Sequence, residues 1–169
     1  MAIDPVDNPF SALGLEPSFD IDPRRVRAAW MQKAAREHPD VVGVGEQSTC
    51  ANDALRQISD PLSRAEALLR VHQAPAVDER TMPEGFLLEM MELRERADEA
   101  GRDPDAAAQL LAEASERRNR ALARIGDAFR SARGGALEAG HALEIRSQMN
   151  VVRSFDRMLE HLAREREDR

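Results

Sequence analysis

The tripeptide His38, Pro39 and Asp40 stands where an arginine-rich amphipathic segment has to stop. Proline fixes its own backbone and disfavours helical geometry in the residue before it, so a helix arriving here ends near His38 and the loop is lifted off the fold. A carboxylate held in such a loop can accept charge-assisted hydrogen bonds, and an imidazole can hold the loop's geometry. The plainer alternative is a helix exit, with an imidazole near the negative end of the dipole and a turn-former after it.

Metal chemistry has a weaker claim. Glu138 and His141, in "EAGH", have the spacing of half a di-iron carboxylate site, but no second Glu-x-x-His and no facing glutamates accompany them. One cysteine, Cys50, allows neither an intramolecular disulfide nor a cysteine-based zinc site, and is expected to be a small buried side chain. Neither a glycine-rich phosphate loop nor a nucleophile elbow nor a catalytic dyad is evident. The sequence predicts no resident metal or cofactor and no enzyme activity of its own.

These residues must be positioned by helices. The chain has 169 residues, 42% hydrophobic and 33% charged, with only 4% aromatic and no tyrosine, while Ala, Leu, Glu and Arg abound. That is helix composition, with apolar content enough for a core. The net charge of -7 disfavours nucleic acid as the main partner. The start "MAIDPVDNPF" lacks the features of a signal peptide and no apolar run reaches transmembrane length, so a soluble protein of the reducing cytoplasm, away from membranes, is expected.

Two helical blocks follow from the punctuation. In the first, "DNPFSALGLE" offers Asp7 or Asn8 as a cap, and "FDIDPRRVRAAWMQKAARE" offers Asp22 as cap with Pro23 at the first helical position. "STCANDALRQISDPLSRAEALLRV" predicts a helix, a break at Asp60-Pro61 and a further turn or two. Residues 1–73 form this block, 74–83 a linker, and 84–169 a second block of three long helices with short connections, read as an antiparallel bundle. Its middle helix has a predicted seam at Ala107, Leu111, Ala114, Ala121, Ile125 and Phe129.

The first block resembles a J-domain: a short "NPFSALGL" helix, a basic helix, an HPD loop and a helix closing on "ISDPLSRA". The resemblance implies that His38, Pro39 and Asp40, with Arg25, Arg27, Lys33 and Arg36 on the preceding helix, contact the ATPase domain of a DnaK-type chaperone and stimulate its hydrolysis. Glu37 replaces the usual aromatic before HPD and Val41 the usual basic residue after it. Met31 and Gln32 occupy positions that are basic in general J-domains, and Lys33 stands where a core leucine is common.

"PLSRAEALLRVHQ", a short linker and then "FLLEMMELRERADEA" is similar to one kind of J-protein in particular, the HscB-type co-chaperone of iron–sulphur cluster assembly. The resemblance covers nearly the whole chain and implies an all-α protein, an N-terminal J-domain followed by a three-helix domain that binds an IscU-type scaffold and brings it to an HscA-type chaperone. On a helical wheel Phe86, Met90, Leu93 and Ala97 form the core stripe, while Leu87, Leu88 and Met91 fall off it among Glu92, Arg94, Glu95 and Asp98. An additional apolar strip ringed by charge is what a binding surface requires. By resemblance Leu87, Met91, Glu92 and Glu95 lie at scaffold-contacting positions, and Leu88 joins them. On the last helix the family's contacting aromatic aligns with Ser154, so the neighbouring Phe155 is taken as its stand-in. The competing reading is a J-like helical protein that binds a partner without stimulating any ATPase.

Overall fold

The computed structural model describes residues 8–36, 46–100, 103–132 and 136–167, and among them there are seven helices and no strand. They are α1 (Pro9–Ala12), α2 (Pro23–Arg36), α3 (Glu46–Ser59), α4 (Pro61–Val71), α5 (Phe86–Ala100), α6 (Pro104–Ser131) and α7 (Ala139–Glu167). The all-α class expected from composition holds. The HPD tripeptide, with Glu37 and Val41 beside it, lies outside the described residues.

Four helices begin with an acid or amide followed by proline. Asn8 Oδ1 accepts from the backbone N–H groups of Phe10 and Ser11, and Asp22 Oδ1 from Arg24 at 2.8 Å. Asp60 accepts from Ser63 at 2.7 Å, and Asp103 from Asp105 and Ala106. Each cap satisfies donors that the first helical turn leaves without partners. Gly14, at φ 66, closes α1 in a left-handed conformation that a side chain would strain.

The residues separate into two compact units, 1–76 with 129–142, and 77–128 with 143–169. In the first unit α3 packs on α1, α2 and α4, around a core of Phe10, Val26, Ile58, Ala65 and Leu68. Trp30 on α2 donates to Asn52 on α3 at 2.9 Å. α4 runs for 11 residues, longer than the turn or two expected after Asp60. Phe129, assigned by its spacing to the seam of the C-terminal bundle, instead stacks on Phe19 in the first unit, with centroids 5.8 Å apart, and His72 lies against it.

Arg64 is the polar centre of this unit. The residue is 8% exposed, and its guanidinium donates to three carbonyls, those of Ile58 (2.6 Å), Phe19 (2.8 Å) and Ser59 (3.4 Å). Burial pushes its pKa down and the nearby carboxylates of Asp60 and Asp20 pull it back.

In the second unit α5, α6 and α7 surround Phe86, Met90, Leu93, Leu110, Ala114, Ile125, Met149, Val152 and Phe155. The buried leucine near the start of α6 is Leu110 rather than the expected Leu111, which is half-buried. In the segment before α5, Asn150 on α7 donates to the carbonyls of Glu79 and Thr81 at 2.8 and 2.9 Å.

Candidate partner-binding surfaces

α5 is oriented from two sides. Its core stripe packs inward, with Phe86 edge-on to Phe155 at 5.8 Å, and Phe86, Met90 and Leu93 are all buried. On one flank, Glu89, Arg117, Glu113 and Arg96 form a ladder to α6. Arg117 pairs with Glu89 at 2.5 Å and with Glu113 at 2.8 Å, and Arg96 grips Glu113 with two bonds. These constraints leave one outward arc on the helix, since successive residues turn by about 100°.

That arc carries the apolar residues singled out in the sequence. Leu87 is 68% exposed, Leu88 61% and Met91 58%, and Glu92 and Glu95 are exposed beside them. An ordinary bundle helix has no need of three large apolar side chains in water. Leu87, Met91, Arg94 and Asp98 share helical spacing and lead into a groove of about 320 Å³ against α7, where Arg157, Met158 and His161 complete the wall. The sequence reading missed this groove. The 87, 91, 94, 98 spacing pointed along it, but nothing local says which part of α7 faces α5.

Phe155 does not belong to this surface. It is 1% exposed, packed on Phe86 with Val151, Met158 and Leu162 buried along the same side of α7. Ile145, Met149 and Val152 are buried as well, so α7 is apolar and covered over a wide arc. The neighbouring Ser154 is half-buried, its hydroxyl donating to the Asn150 carbonyl at 3.0 Å.

The Arg96–Glu113 pair predicts a pH dependence. Arg96 holds the Glu113 carboxyl below the ordinary glutamate value of 4.5, chiefly through their hydrogen bond, against some desolvation. A depressed carboxylate stabilises the fold above that value and loses its contribution as pH falls through the folded pKa. Glu113→Gln should therefore be less stable than the parent at pH 7, with the gap closing below about 4.5, as read by urea unfolding across pH.

On α2, Arg25 and Arg27 are exposed and Lys33 half-buried, while Arg36 closes the helix and its side chain lies outside the described residues. Met31 is exposed on the same helix, with Ala28, Gln32 and Ala35 also open to solvent. The outer face of α2 is thus part basic and part apolar.

Elsewhere, Cys50 is half-buried rather than buried. His141 has a solvent-sealed Nδ1 with no hydrogen-bond partner among the described residues, and Glu138 is exposed. No group of three or more His, Cys, Asp or Glu among the described residues is placed to hold a metal, and no described helix is long and apolar enough to cross a membrane.

Comparison with known proteins gives this architecture a family. A family model for the HSCB C-terminal oligomerisation domain matches residues 82–146. The co-chaperone HscB homologue of Bordetella pertussis is 38% identical over 128 residues, 68% of this chain and 74% of that one. The homologue of Burkholderia mallei is 31% identical over 160 residues, 87% and 89% of the two chains. Among solved structures, human co-chaperone HscB superposes with a TM-score of 0.76 at 22% identity, over 98% of this chain and 85% of that one. HscB from Vibrio cholerae gives a TM-score of 0.73 at 23% identity, over 95% and 98%. With the helical hairpin of a J-domain at its N-terminal end and a helical bundle after it, the chain belongs to the HscB co-chaperone family.

Proposed function

We propose that this protein is a two-site adaptor that carries an IscU-type iron–sulphur scaffold to an HscA/DnaK-type chaperone and stimulates that chaperone's ATPase. The observation that carries the reading is the outward strip of Leu87, Leu88 and Met91 on a helix whose rotation is set by its core and by the ladder to α6. The scaffold seats on this strip, with Glu92 and Glu95 as a charged rim and the groove at Asp98 and Arg157 as its continuation. The other site is His38, Pro39 and Asp40, supported by the basic residues Arg25, Arg27, Lys33 and Arg36 of α2.

The mechanism is one of proximity and coupling. Holding the scaffold and the chaperone on one molecule raises their effective concentration for each other. Contact at HPD links delivery to hydrolysis, and by reciprocity a chaperone that favours the loop favours the loaded adaptor. The hydrolysis itself belongs to the chaperone, so this chain needs neither catalytic residues nor a cofactor. With one cysteine and no disulfide to form within the chain, the reducing cytoplasm is its proposed setting.

Single-turnover ATP hydrolysis by the HscA-type chaperone tests the proposal, with and without the IscU-type scaffold. The intact protein should accelerate hydrolysis, most strongly with scaffold present. His38→Gln should abolish that acceleration and leave scaffold binding unchanged. Scaffold binding without any stimulation by the intact protein would leave the competing reading, a J-like interaction protein with a silent loop.

A further inference from the structure

We propose that a second cleft, on the opposite flank of α5 from Leu87 and Met91, binds an acidic peptide segment of a partner protein. The cleft has a volume of about 320 Å³ and lies wholly within the second unit, among α5, α6 and α7. That volume is at the small end of the range for ligand-binding clefts, which suits a short segment and not a bulky ligand.

Its walls are arginine. Arg117, Arg120 and Arg124 project from successive turns of α6 at a spacing of three and four residues. They have unequal engagements. Arg117 is held by Glu89 and Glu113 and forms a fixed wall. Arg120 pairs only with Glu116, one turn back, in a pair that is 67% and 63% exposed. An open pair of this kind contributes little and is readily exchanged for another carboxylate. Arg124 makes no ion pair or hydrogen bond among the described residues, although it lines the cleft.

The lining carries three guanidinium groups against the carboxylates of Glu84 and Glu89, an excess of one positive charge on a chain whose net charge is -7. The floor is apolar, made by Phe86, Ala121 and Val151. Gln148 stands in the wall at 3% exposure, and its amide nitrogen donates to Glu144 at 3.1 Å. That leaves its carbonyl to accept from a peptide N–H.

The spacing favours a peptide over a lone anion. Arg120 and Arg124 are about 6 Å apart along the helix axis, and alternate side chains of an extended strand lie about 7 Å apart on one side. Two carboxylates separated by one residue therefore meet the two guanidinium groups in register, each able to accept a forked pair of hydrogen bonds. The site does not depend on the proposed scaffold contact, and both faces of α5 can be occupied together.

Fluorescence anisotropy with a labelled octapeptide of alternating glutamate and alanine, at low salt, is the test. Saturable binding is expected, weakened at least tenfold in the Arg120→Glu, Arg124→Glu double variant and lost for the matching peptide with glutamine in place of glutamate. The variant should melt within about 4 °C of the parent by circular dichroism, because both side chains are exposed and only the open Arg120–Glu116 pair is replaced by like charges one turn apart. Leu87→Ala, Met91→Ala should bind the peptide as the parent does, which separates this site from the scaffold surface. Equal binding by the double variant, or equal binding of the glutamine peptide, would overturn the proposal. Displacement of the peptide by inorganic phosphate at equal concentration would also overturn it, showing a subsite for small anions.

Discussion

Replacing Leu87 and Met91 together by alanine is expected to weaken binding of an IscU-type scaffold on the order of 30- to 1000-fold. The two side chains stand 68% and 58% open in the free protein, so more than half of the surface of each is available for burial by a partner. Full burial of a leucine or methionine contributes about 1.5–3 kcal/mol, and alanine retains little of it. Scaled by that exposure, the pair accounts for about 2–4 kcal/mol, reduced by any non-additivity between neighbours one turn apart.

The same exposure makes the fold indifferent to the change. Surface truncations away from caps and buried networks stay within about 0.5 kcal/mol, so unfolding by urea should superimpose on that of the parent. Isothermal titration against the scaffold measures the loss. Charge reversal of Glu92 and Glu95 should act differently, slowing association and altering its salt dependence more than dissociation. In the ATPase assay the double variant should keep whatever stimulation the J-domain gives alone and lose the scaffold's added effect, the complement of His38→Gln. Scaffold binding unchanged in the double variant would remove α5 from the proposed function.

What could be read in the chain beforehand was what is decided locally. Asn8-Pro9, Asp22-Pro23, Asp60-Pro61 and Asp103-Pro104 announce helix starts because cap and first turn are adjacent in sequence, and all four proved to be starts. The outward strip of α5 was also legible, since one helix shows its own two faces. Features that depend on a distant segment were not. Phe155 and Ser154 differ by one rotation of α7, and only the position of α5 and α6 decides which of them is buried. Phe129 fitted the bundle's seam by spacing, yet it meets Phe19, 110 residues earlier in the chain. Asn150 reaches back to Glu79 and Thr81 across 71 and 69 residues. The arginine cleft on α6 had no signal in the sequence, because its depth comes from the way α5 and α7 meet beneath it.

Arg64→Leu is expected to destabilise the protein by about 3 kcal/mol or more, the largest loss from any single substitution considered. Arg64 sits in "SRAEALL", where its charge reads as one more exposed helix residue, yet it is 8% exposed. The carbonyls of Ile58 and Ser59 are among the last of α3, which helix geometry leaves without intrahelical partners. The Phe19 carbonyl comes from the segment between α1 and α2, 45 residues away. One planar guanidinium with a fixed fork of donors answers all three, and its carbon lies 5.8 Å from the Phe19 ring centroid.

Leucine fills the space and leaves those acceptors buried without donors, each costing about 1–3 kcal/mol where water cannot reach. Lysine keeps the charge but concentrates its donors at one point, so it should recover part of the loss and not all of it. At roughly 2–4 °C per kcal/mol for a chain of this size, Arg64→Leu should melt about 10 °C below the parent, with Arg64→Lys between them. Urea unfolding followed by circular dichroism, with melting curves for all three proteins, makes the measurement. Parent-like stability of Arg64→Leu would mean that water reaches these carbonyls and that the three bonds add nothing net. If the order holds, the junction of α3 and α4 depends on a buried cation, which fixes Asp60-Pro61 as a rigid corner of the J-domain instead of a hinge.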